Sequence, residues 1–149
     1  MKISTKGRYA LRLMLDIARH SDGGFVPLRD IADRQDISMK YLEQIVSQLC
    51  KAGYLKSIRG PQGGYKLARP AREYTAGDIL RTAEGSLCPV SCADDEAEKC
   101  PRYTSCERAV FWAGLRAAID RDVDAVTLED LMNGNCTPGA CADGRQSGV

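Results

Sequence analysis

Residues 38–67 read SMKYLEQIVSQLCKAGYLKSIRGPQGGYKL, and this stretch decides the fold. Its first part predicts a helix that Ser38 is suited to cap, since a serine hydroxyl can accept from a free backbone N–H. Apolar residues recur there at the helical period and form the buried face, namely Leu42, Ile45, Val46 and Leu49. Gly53 then suits the left-handed residue that commonly ends a helix. The helix is therefore expected to end at about Ala52.

Two short strand-like runs follow this helix, at residues 54–58 and 64–67. Between them lies a turn that begins with Arg59 and is rich in glycine and proline, residue types that allow a tight reversal of the chain. The second part of the stretch therefore predicts a small β-hairpin with an arginine at its tip.

Two further helices are expected before this stretch. Ser4 or Thr5 can cap one that runs to about His20, and a shorter one extends from Pro27 to about Arg34. Three helices followed by a glycine-rich hairpin are the order of a winged helix-turn-helix, a DNA-binding arrangement.

After residue 72 the pattern is helical again, with helices expected at about 75–84, 106–122 and 128–132. The prediction is a mainly α fold with a small β-wing, a winged helix-turn-helix joined to a long C-terminal dimerisation helix. It divides the chain into a DNA-binding domain at 1–72, a cysteine loop and dimerisation helix region at 73–132, and a flexible tail at 133–149.

Charge supports this division. Residues 1–72 hold 14 Lys and Arg against 6 Asp and Glu, whereas the remainder holds 7 against 14. A basic half joined to an acidic half indicates that the first half meets a polyanion such as DNA.

The sequence contains no apolar run near the roughly 20 residues that a membrane span needs, and its start resembles an amphipathic helix more than an export signal. We therefore expect a cytoplasmic protein without membrane contact. No nucleotide loop or catalytic triad pattern is evident, so an enzyme is not expected. The chain has seven cysteines, which in the cytoplasm more often bind metal or respond to redox state than form disulfides.

Residues able to contact DNA fall into three groups. The start of the 38–52 helix offers hydrogen-bonding side chains for base edges in the major groove, and the hairpin offers an arginine for a narrow minor groove between glycines that permit close approach. Basic residues near the N-terminus suit phosphates. The predicted set is Lys2, Lys6, Arg8, Ser38, Lys40, Tyr41, Glu43, Gln44, Arg59, Gly60 and Gly63, with Lys56 and Lys66 as further phosphate contacts.

Four segments resemble the Rrf2 family of bacterial transcription regulators: KISTKGRYAL at 2–11, the 38–67 stretch with its YLEQ and RGxxGGY elements, TAGDILRTAEG at 75–85 and TLEDL at 127–131. The resemblance covers about residues 1–132. It implies a homodimer in which the long helix crosses its mate, and DNA-contacting roles for Tyr41, Glu43, Gln44 and Arg59.

Cluster-bearing members of that family place three cysteines before the dimerisation helix. The resemblance therefore implies that Cys92, Cys100 and Cys106 bind an iron–sulfur cluster, with Cys88 as a competitor for the first position. Soft thiolates are the ligands such clusters need. A redox-active thiol pair and a zinc site remain alternatives.

The family's histidine ligand, three residues after the third cysteine, is replaced here by Ala109. The cluster type therefore stays open between 2Fe–2S and 4Fe–4S, and the fourth ligand is open among Cys88, Glu107, a tail cysteine (Cys136 or Cys141) and the partner subunit. His20, the only histidine, is expected to be an ordinary surface residue, and Cys50 to be packed.

The sequence thus predicts a DNA-binding regulator, by the family's usual action a repressor. It would sense iron–sulfur, redox or nitric-oxide status. The alternative is a cluster-free repressor of cysteine metabolism, controlled by thiols or by a partner enzyme, although such members lack the loop cysteines.

Overall fold

The computed structural model describes residues 2–95, 98 and 100–136. Its helices are α1 (Thr5–His20), α2 (Leu28–Gln35), α3 (Met39–Lys51), α4 (Ala76–Glu84), α5 (Ala109–Ala125) and α6 (Leu128–Asn133). Strands β1 (Leu55–Ile58) and β2 (Gly64–Leu67) form one antiparallel pair. Single 3₁₀ turns lie at Ala71–Glu73, Ser91–Ala93 and Tyr103–Ser105. The mainly α fold with a small β-wing is confirmed.

Helix α1 is the central helix of the core. The Ser4 hydroxyl accepts from the backbone N–H of Gly7 and caps its first turn, as the sequence predicts. Its buried apolar face includes Leu13, Met14 and Ile17, all fully buried. The helix contacts α2, α3, α4, α6 and β2, so it supports both the DNA-binding elements and the C-terminal half.

Helices α2 and α3 form the helix-turn-helix. Asp36 adopts the left-handed conformation with φ +52°, which reverses the chain between them. The Ser38 Oγ accepts from the N–H of Tyr41 at 3.3 Å and caps α3. Gly53 has φ +76° just beyond the end of α3, so both predicted helix ends are confirmed.

The wing is the hairpin of β1 and β2. Its register places Lys56 opposite Lys66, and an isolated bridge joins Tyr65 to Val26 before α2. Gly60 has φ +114°, a backbone conformation that glycine reaches without strain. The bridge to Val26 fixes the wing against the helix-turn-helix.

The same hydrophobic core continues past the wing. Ile79 of α4 and Leu128 of α6 are fully buried in one cluster with the residues of α1. Tyr74 is also fully buried, and its hydroxyl donates to the Tyr54 carbonyl at 2.9 Å. The structure therefore packs α4 and α6 onto the winged helix-turn-helix, and the division at residue 72 stays a prediction.

Helix α5 begins at Ala109, three residues later than predicted, because residues 106–108 form a turn that follows the 3₁₀ turn Tyr103–Ser105. It has no buried residue along its length, and Val110 is 83% exposed and Phe111 63% exposed. The apolar side chains of its first half therefore face outward in a single chain. Within the described residues, none of the helices combines the length and apolar character that a membrane span requires.

Candidate nucleic-acid interface and cysteine loop

The amino end of α3 presents the side chains predicted to contact bases. Lys40, Glu43 and Gln44 are exposed, and Tyr41 is half-buried. Ser38 is exposed, but its hydroxyl also caps the helix, so it has one oxygen shared between the cap and any outside partner. The amino end of α3 is therefore accessible to a partner as large as double-stranded DNA.

Aromatic contacts join this end of α3 to α1. The rings of Tyr9 and Tyr41 meet edge to face with their centroids 5.7 Å apart, and the Arg12 guanidinium lies over the Tyr9 ring at 5.2 Å. Arg12 also donates to the Gln35 carbonyl at 2.6 Å. The start of α1 and the start of α3 therefore belong to one rigid face.

The predicted phosphate contacts lie in and just before the first turn of α1. Lys2 and Arg8 are exposed, whereas Lys6 is half-buried. Glu84, at the end of α4, accepts hydrogen bonds from this turn. Glu84 was not among the predicted residues, because no local spacing signals a contact between residues 80 apart in sequence.

Arg59 and Gly60 are exposed at the tip of the wing, and Gly63 is half-buried beside them. Burial raises the pKa of Tyr65, and so do the Cys50 thiol once it is ionised and the Glu43 carboxylate, while Arg59 opposes the shift. Tyr65 thus lies in the electrostatic range of both α3 and the wing arginine. Lys66 covers the Phe25 ring at 4.7 Å, which holds its ammonium on the wing.

Three cysteines of the loop line one hollow of about 470 Å³. They are Cys92, Cys100 and Cys106, and the hollow is completed by Arg102, Ser105, Glu107, Arg108 and Trp112. The thiols are free, with Cys100 exposed and the other two half-buried. Of the fourth-ligand candidates that lie within the described residues, Glu107 lines this same hollow.

Cys88 lies elsewhere. Its Sγ donates to the Val90 carbonyl at 3.1 Å, and it lines a different hollow with Arg81, Arg116 and several aspartates. This separation favours Cys92 over Cys88 as the partner of Cys100 and Cys106.

No histidine lines the hollow, and the His20 ring instead faces α1, with Nδ1 2.9 Å from the Asp16 carbonyl oxygen. Within residues 2–95, 98 and 100–136, no three His, Cys, Asp or Glu side chains are grouped closely enough to bind a single metal ion. Thiolates are soft donors that suit both an iron–sulfur cluster and a zinc ion, so the donor type fits either group.

Ion pairs fasten the cysteine loop to α5 and α5 to α4. Arg116 donates to the Ala93 carbonyl at 2.7 Å and pairs with Asp95 at 3.0 Å. Arg81 pairs with Asp120 and Asp124, each at 2.7 Å, and these carboxylates raise the pKa of the Arg81 guanidinium. The loop is thus connected electrostatically to the helix that packs on α1.

The other cysteines are scattered. Cys50 is half-buried in α3, where burial raises the pKa of its thiol and so disfavours the reactive thiolate. Cys136 is exposed near the end of the described chain, and Cys141 lies outside the described residues.

Comparison with known proteins gives concordant results. A sequence profile for Rrf2, described as an iron-dependent transcriptional regulator, matches residues 3–134. The chain is 41% identical over 143 residues to protein rrf2 of Nitratidesulfovibrio vulgaris, an alignment that covers 95% of each protein.

Two solved structures represent the two types of relative. CymR, the global cysteine regulator of B. subtilis, is 42% identical with a TM-score of 0.74, over 90% of this chain and 98% of that one. IscR of T. potens is 37% identical with a TM-score of 0.69, over 99% of this chain and 94% of that one. The winged-helix architecture is common to both.

Proposed function

Because the chain belongs to the Rrf2 family of transcriptional regulators, we propose that it is a DNA-binding repressor that senses iron–sulfur, redox or nitric-oxide status through a cluster held by Cys92, Cys100 and Cys106. Its relatives are named as transcriptional regulators, and the chain is not an enzyme. The cluster, the residues that contact DNA and the homodimer are parts of the proposal.

The observation that carries the proposal is the common hollow of the three loop cysteines. Thiolates are soft donors suited to iron–sulfur clusters, and the cationic side chains of Arg102 and Arg108 on the same hollow favour a negatively charged group there. The indole of Trp112 adds an apolar wall. Glu107 is our choice for a further ligand from the same chain.

When bound, the cluster supplies a group whose stability depends on iron, oxidants and nitric oxide. The chain's own residues make the order of the loop depend on the cluster. Cys92 lies in the 3₁₀ turn Ser91–Ala93 near one end of the loop, and Cys106 lies at the other end, just before α5. Arg116 of α5 also binds the loop at Ala93 and Asp95. Holding both ends of the loop at one point fixes the start of α5 relative to α4. A shift between two loop states of this kind is typically worth about 1–3 kcal/mol in affinity for a second ligand.

On DNA, the amino end of α3 enters the major groove and the wing reaches the adjacent minor groove in our proposal. Glu43 accepts from a cytosine amino group, Gln44 pairs with adenine or supports Glu43, and Arg59 inserts into a narrow minor groove. Lys2, Lys6 and Arg8 bind phosphates and set the register. The shared rigid face of α1 and α3 supports simultaneous contact by both groups.

We also propose a homodimer, which the exposure of α5 supports. This helix of 17 residues has no buried residue, and the apolar side chains of its first half are open to water in a single chain. The exposed side chains of Val110, Phe111 and Leu115 suit the same face of a second copy. Two copies also present two α3 helices, as a palindromic operator requires.

The second candidate is a cluster-free, thiol-based or partner-enzyme-controlled repressor. It is favoured by one observation, the TM-score of 0.74 to the CymR structure, a global cysteine regulator. On this alternative the loop thiols are free or oxidised, and iron is not part of the protein.

The test is anaerobic purification followed by iron and sulfide counts and a visible spectrum, on the wild type and on Cys92→Ala, Cys100→Ala and Cys106→Ala singly. We expect charge-transfer absorption and stoichiometric iron and sulfide in the wild type, with loss of both in each variant. Cys88→Ala is the matched control from the same loop and should keep its iron. Colourless, iron-free wild type would favour the cluster-free candidate, whereas iron retained in all three variants would reject these cysteines as its ligands.

DNA binding is tested separately on the same preparations, against an operator fragment and a random duplex at one salt concentration. Specific DNA binding by iron-free protein would leave the proposed DNA-binding role intact and would reject only the proposed sensing through a cluster.

A further inference from the structure

Glu84, the last residue of α4, is hydrogen-bonded to the first turn of α1. Its Oε1 accepts from the Ser4 backbone N–H at 2.9 Å, from the Ser4 hydroxyl at 2.6 Å and from the Gly7 backbone N–H at 3.0 Å. One carboxylate oxygen thus serves three donors at a helix start. Hydrogen bonds to an ionised acceptor are stronger than neutral ones.

The arrangement replaces a part that other helices of this chain supply locally. In α4 and α6 an aspartate three residues after the capping threonine, Asp78 or Asp130, accepts from the N-cap N–H and completes a capping box. In α1 the equivalent position is Gly7, which has no side chain to do this. A Cβ at Gly7 would collide with the Glu84 carboxylate, so the glycine makes room for an acceptor from another helix.

The capped turn carries Lys6 and Arg8, and Lys2 lies two residues before its capping Ser4. A helix start holds partial positive charge, and these side chains add three full charges close to it. The Glu84 carboxylate offsets that repulsion and occupies amides that a phosphate would otherwise find. It therefore decides where the cationic turn sits relative to α3, whose Tyr41 touches Tyr9 of α1.

Helix α4, which ends at Glu84, is also connected to the cysteine loop through ion pairs with α5. Arg81, three residues earlier on α4, binds Asp120 of α5 at 2.7 Å. Asp120 also faces Arg116 at 3.5 Å, and Arg116 binds Asp95 and the Ala93 carbonyl of the loop. Polar contacts thus run from the residue after Cys92 through α5 to Arg81 of α4, and the helical backbone of α4 joins Arg81 to Glu84, which binds the start of α1.

We propose that Glu84 is a positioning residue for DNA binding, and that Arg81, Asp120 and Arg116 connect the start of α1 that Glu84 holds to the cysteine loop. The first part rests only on DNA binding by the family. The second part rests on the proposed function, because it assigns the loop a regulatory role.

The first test compares Glu84→Ala and Glu84→Gln with Glu73→Gln, a matched control that removes an exposed glutamate elsewhere. Loss of a negative charge alone should tighten DNA binding in all three variants. A positioning role predicts the opposite for Glu84→Ala, an affinity about tenfold weaker, roughly the free energy of one charge-assisted hydrogen bond. Glu84→Gln, which keeps one acceptor oxygen, should fall between.

Hydrogen exchange of the Gly7 amide supplies a readout independent of DNA. It should accelerate in Glu84→Ala and remain at the wild-type rate in Glu73→Gln, each measured well below that variant's melting temperature. Equal or tighter DNA binding in Glu84→Ala, or unchanged Gly7 exchange, would overturn the positioning role.

The second test uses Asp120→Asn, with Asp122→Asn two residues further along α5 as its control. Asp120 pairs with Arg81 of α4 and Arg116 of α5. Faster hydrogen exchange of the Gly7 amide is nevertheless expected in Asp120→Asn and not in Asp122→Asn. In the reverse direction, Glu84→Ala should change the alkylation rate of Cys92 in metal-free protein, since coupling between two sites is reciprocal. Both readouts work without iron, so they remain valid if the protein holds no cluster. Unchanged Gly7 exchange in Asp120→Asn with unchanged Cys92 alkylation in Glu84→Ala would overturn the connection.

Discussion

Asp16 offers the sharpest test of what holds the helix-turn-helix together. It is 2% exposed within α1, and it is the one buried charged residue of the described chain. Its Oδ1 accepts from Arg34 Nη2 at 2.6 Å, and its Oδ2 accepts from Arg34 Nε at 3.1 Å and from Gln35 Nε2 at 2.8 Å. This carboxylate therefore ties α2 to α1. We predict that Asp16→Asn strongly destabilises the protein.

The magnitude follows from the state of the partner. Removing one member of a buried ion pair costs about 3–5 kcal/mol when the remaining charge is left without solvent. Here the Arg34 side chain is 34% exposed and can regain water, which places the loss near the lower limit, at about 3 kcal/mol. In Asp16→Asn the side-chain amide also places N–H donors against the N–H donors of Arg34 and Gln35, so one of the original hydrogen bonds is lost.

The acid dependence has a defined sign. Burial raises the pKa of Asp16, but the hydrogen bonds from Arg34 and Gln35 and the charges of Arg34 and His20 outweigh it, so the pKa lies below the ordinary 3.8. The unfolded chain therefore takes up this proton before the native state does. The contribution is complete above about pH 5 and is lost as the pH falls through the lowered native pKa. Asp16→Asn should accordingly lose less stability than the wild type between pH 5 and acid.

The assay is urea unfolding at one protein concentration, repeated from pH 7 down to the acid limit. Asp33→Asn, an exposed aspartate of α2, is the control and should change the free energy of unfolding by under about 0.5 kcal/mol. Equal stabilities of the two variants at pH 7, or parallel acid profiles of Asp16→Asn and the wild type, would refute this account of the α1–α2 contact.

Three further changes test the wing and the core. Arg59→Ala should weaken operator binding by about 1–3 kcal/mol, and an unchanged gel-shift titration would reject the minor-groove role. Tyr74→Phe should reduce the free energy of unfolding by about 1–2 kcal/mol, because the Arg69 backbone N–H loses its acceptor and the Tyr54 carbonyl keeps only the N–H of Ala68; thermal unfolding measures this. Gly64→Ala would drive a Cβ into the backbone of Val26 and should cost about 2–3 kcal/mol. DNA affinity lost in Gly64→Ala at full wild-type stability would contradict that steric explanation.

Local signals in the sequence predicted most of the fold. A capping serine and a left-handed glycine define α3 at Ser38 and Gly53, and Thr75 defines the start of α4, because each effect depends on neighbours within one helical turn. The start of α5 was misplaced, since Cys106 continues an apolar spacing that the preceding 3₁₀ turn interrupts.

What the sequence could not predict depends on distant contacts. Glu84 is an ordinary residue at a helix end until the fold brings Ser4 beside it, and Asp16 looks like a solvated interruption of an apolar stripe until α2 supplies Arg34. The grouping of the loop cysteines is similar. Spacing alone left Cys88 and Cys92 as competitors, and the two separate hollows distinguish them.

The cysteine hollow lies beside the exposed helix α5. Trp112 lines the cysteine hollow from α5, the helix that buries nothing in a single chain. A second copy packed on Val110 and Phe111 would therefore border the hollow and restrict its access to water and oxidants. Because exposure to solvent sets the reduction potential and lability of a cluster, dimerisation and sensing would not be independent in this protein. If the protein holds the proposed cluster and forms the proposed dimer, a monomeric Phe111→Glu variant should lose iron faster in air than the wild type does, and equal rates of loss would show that the partner takes no part in protecting the site.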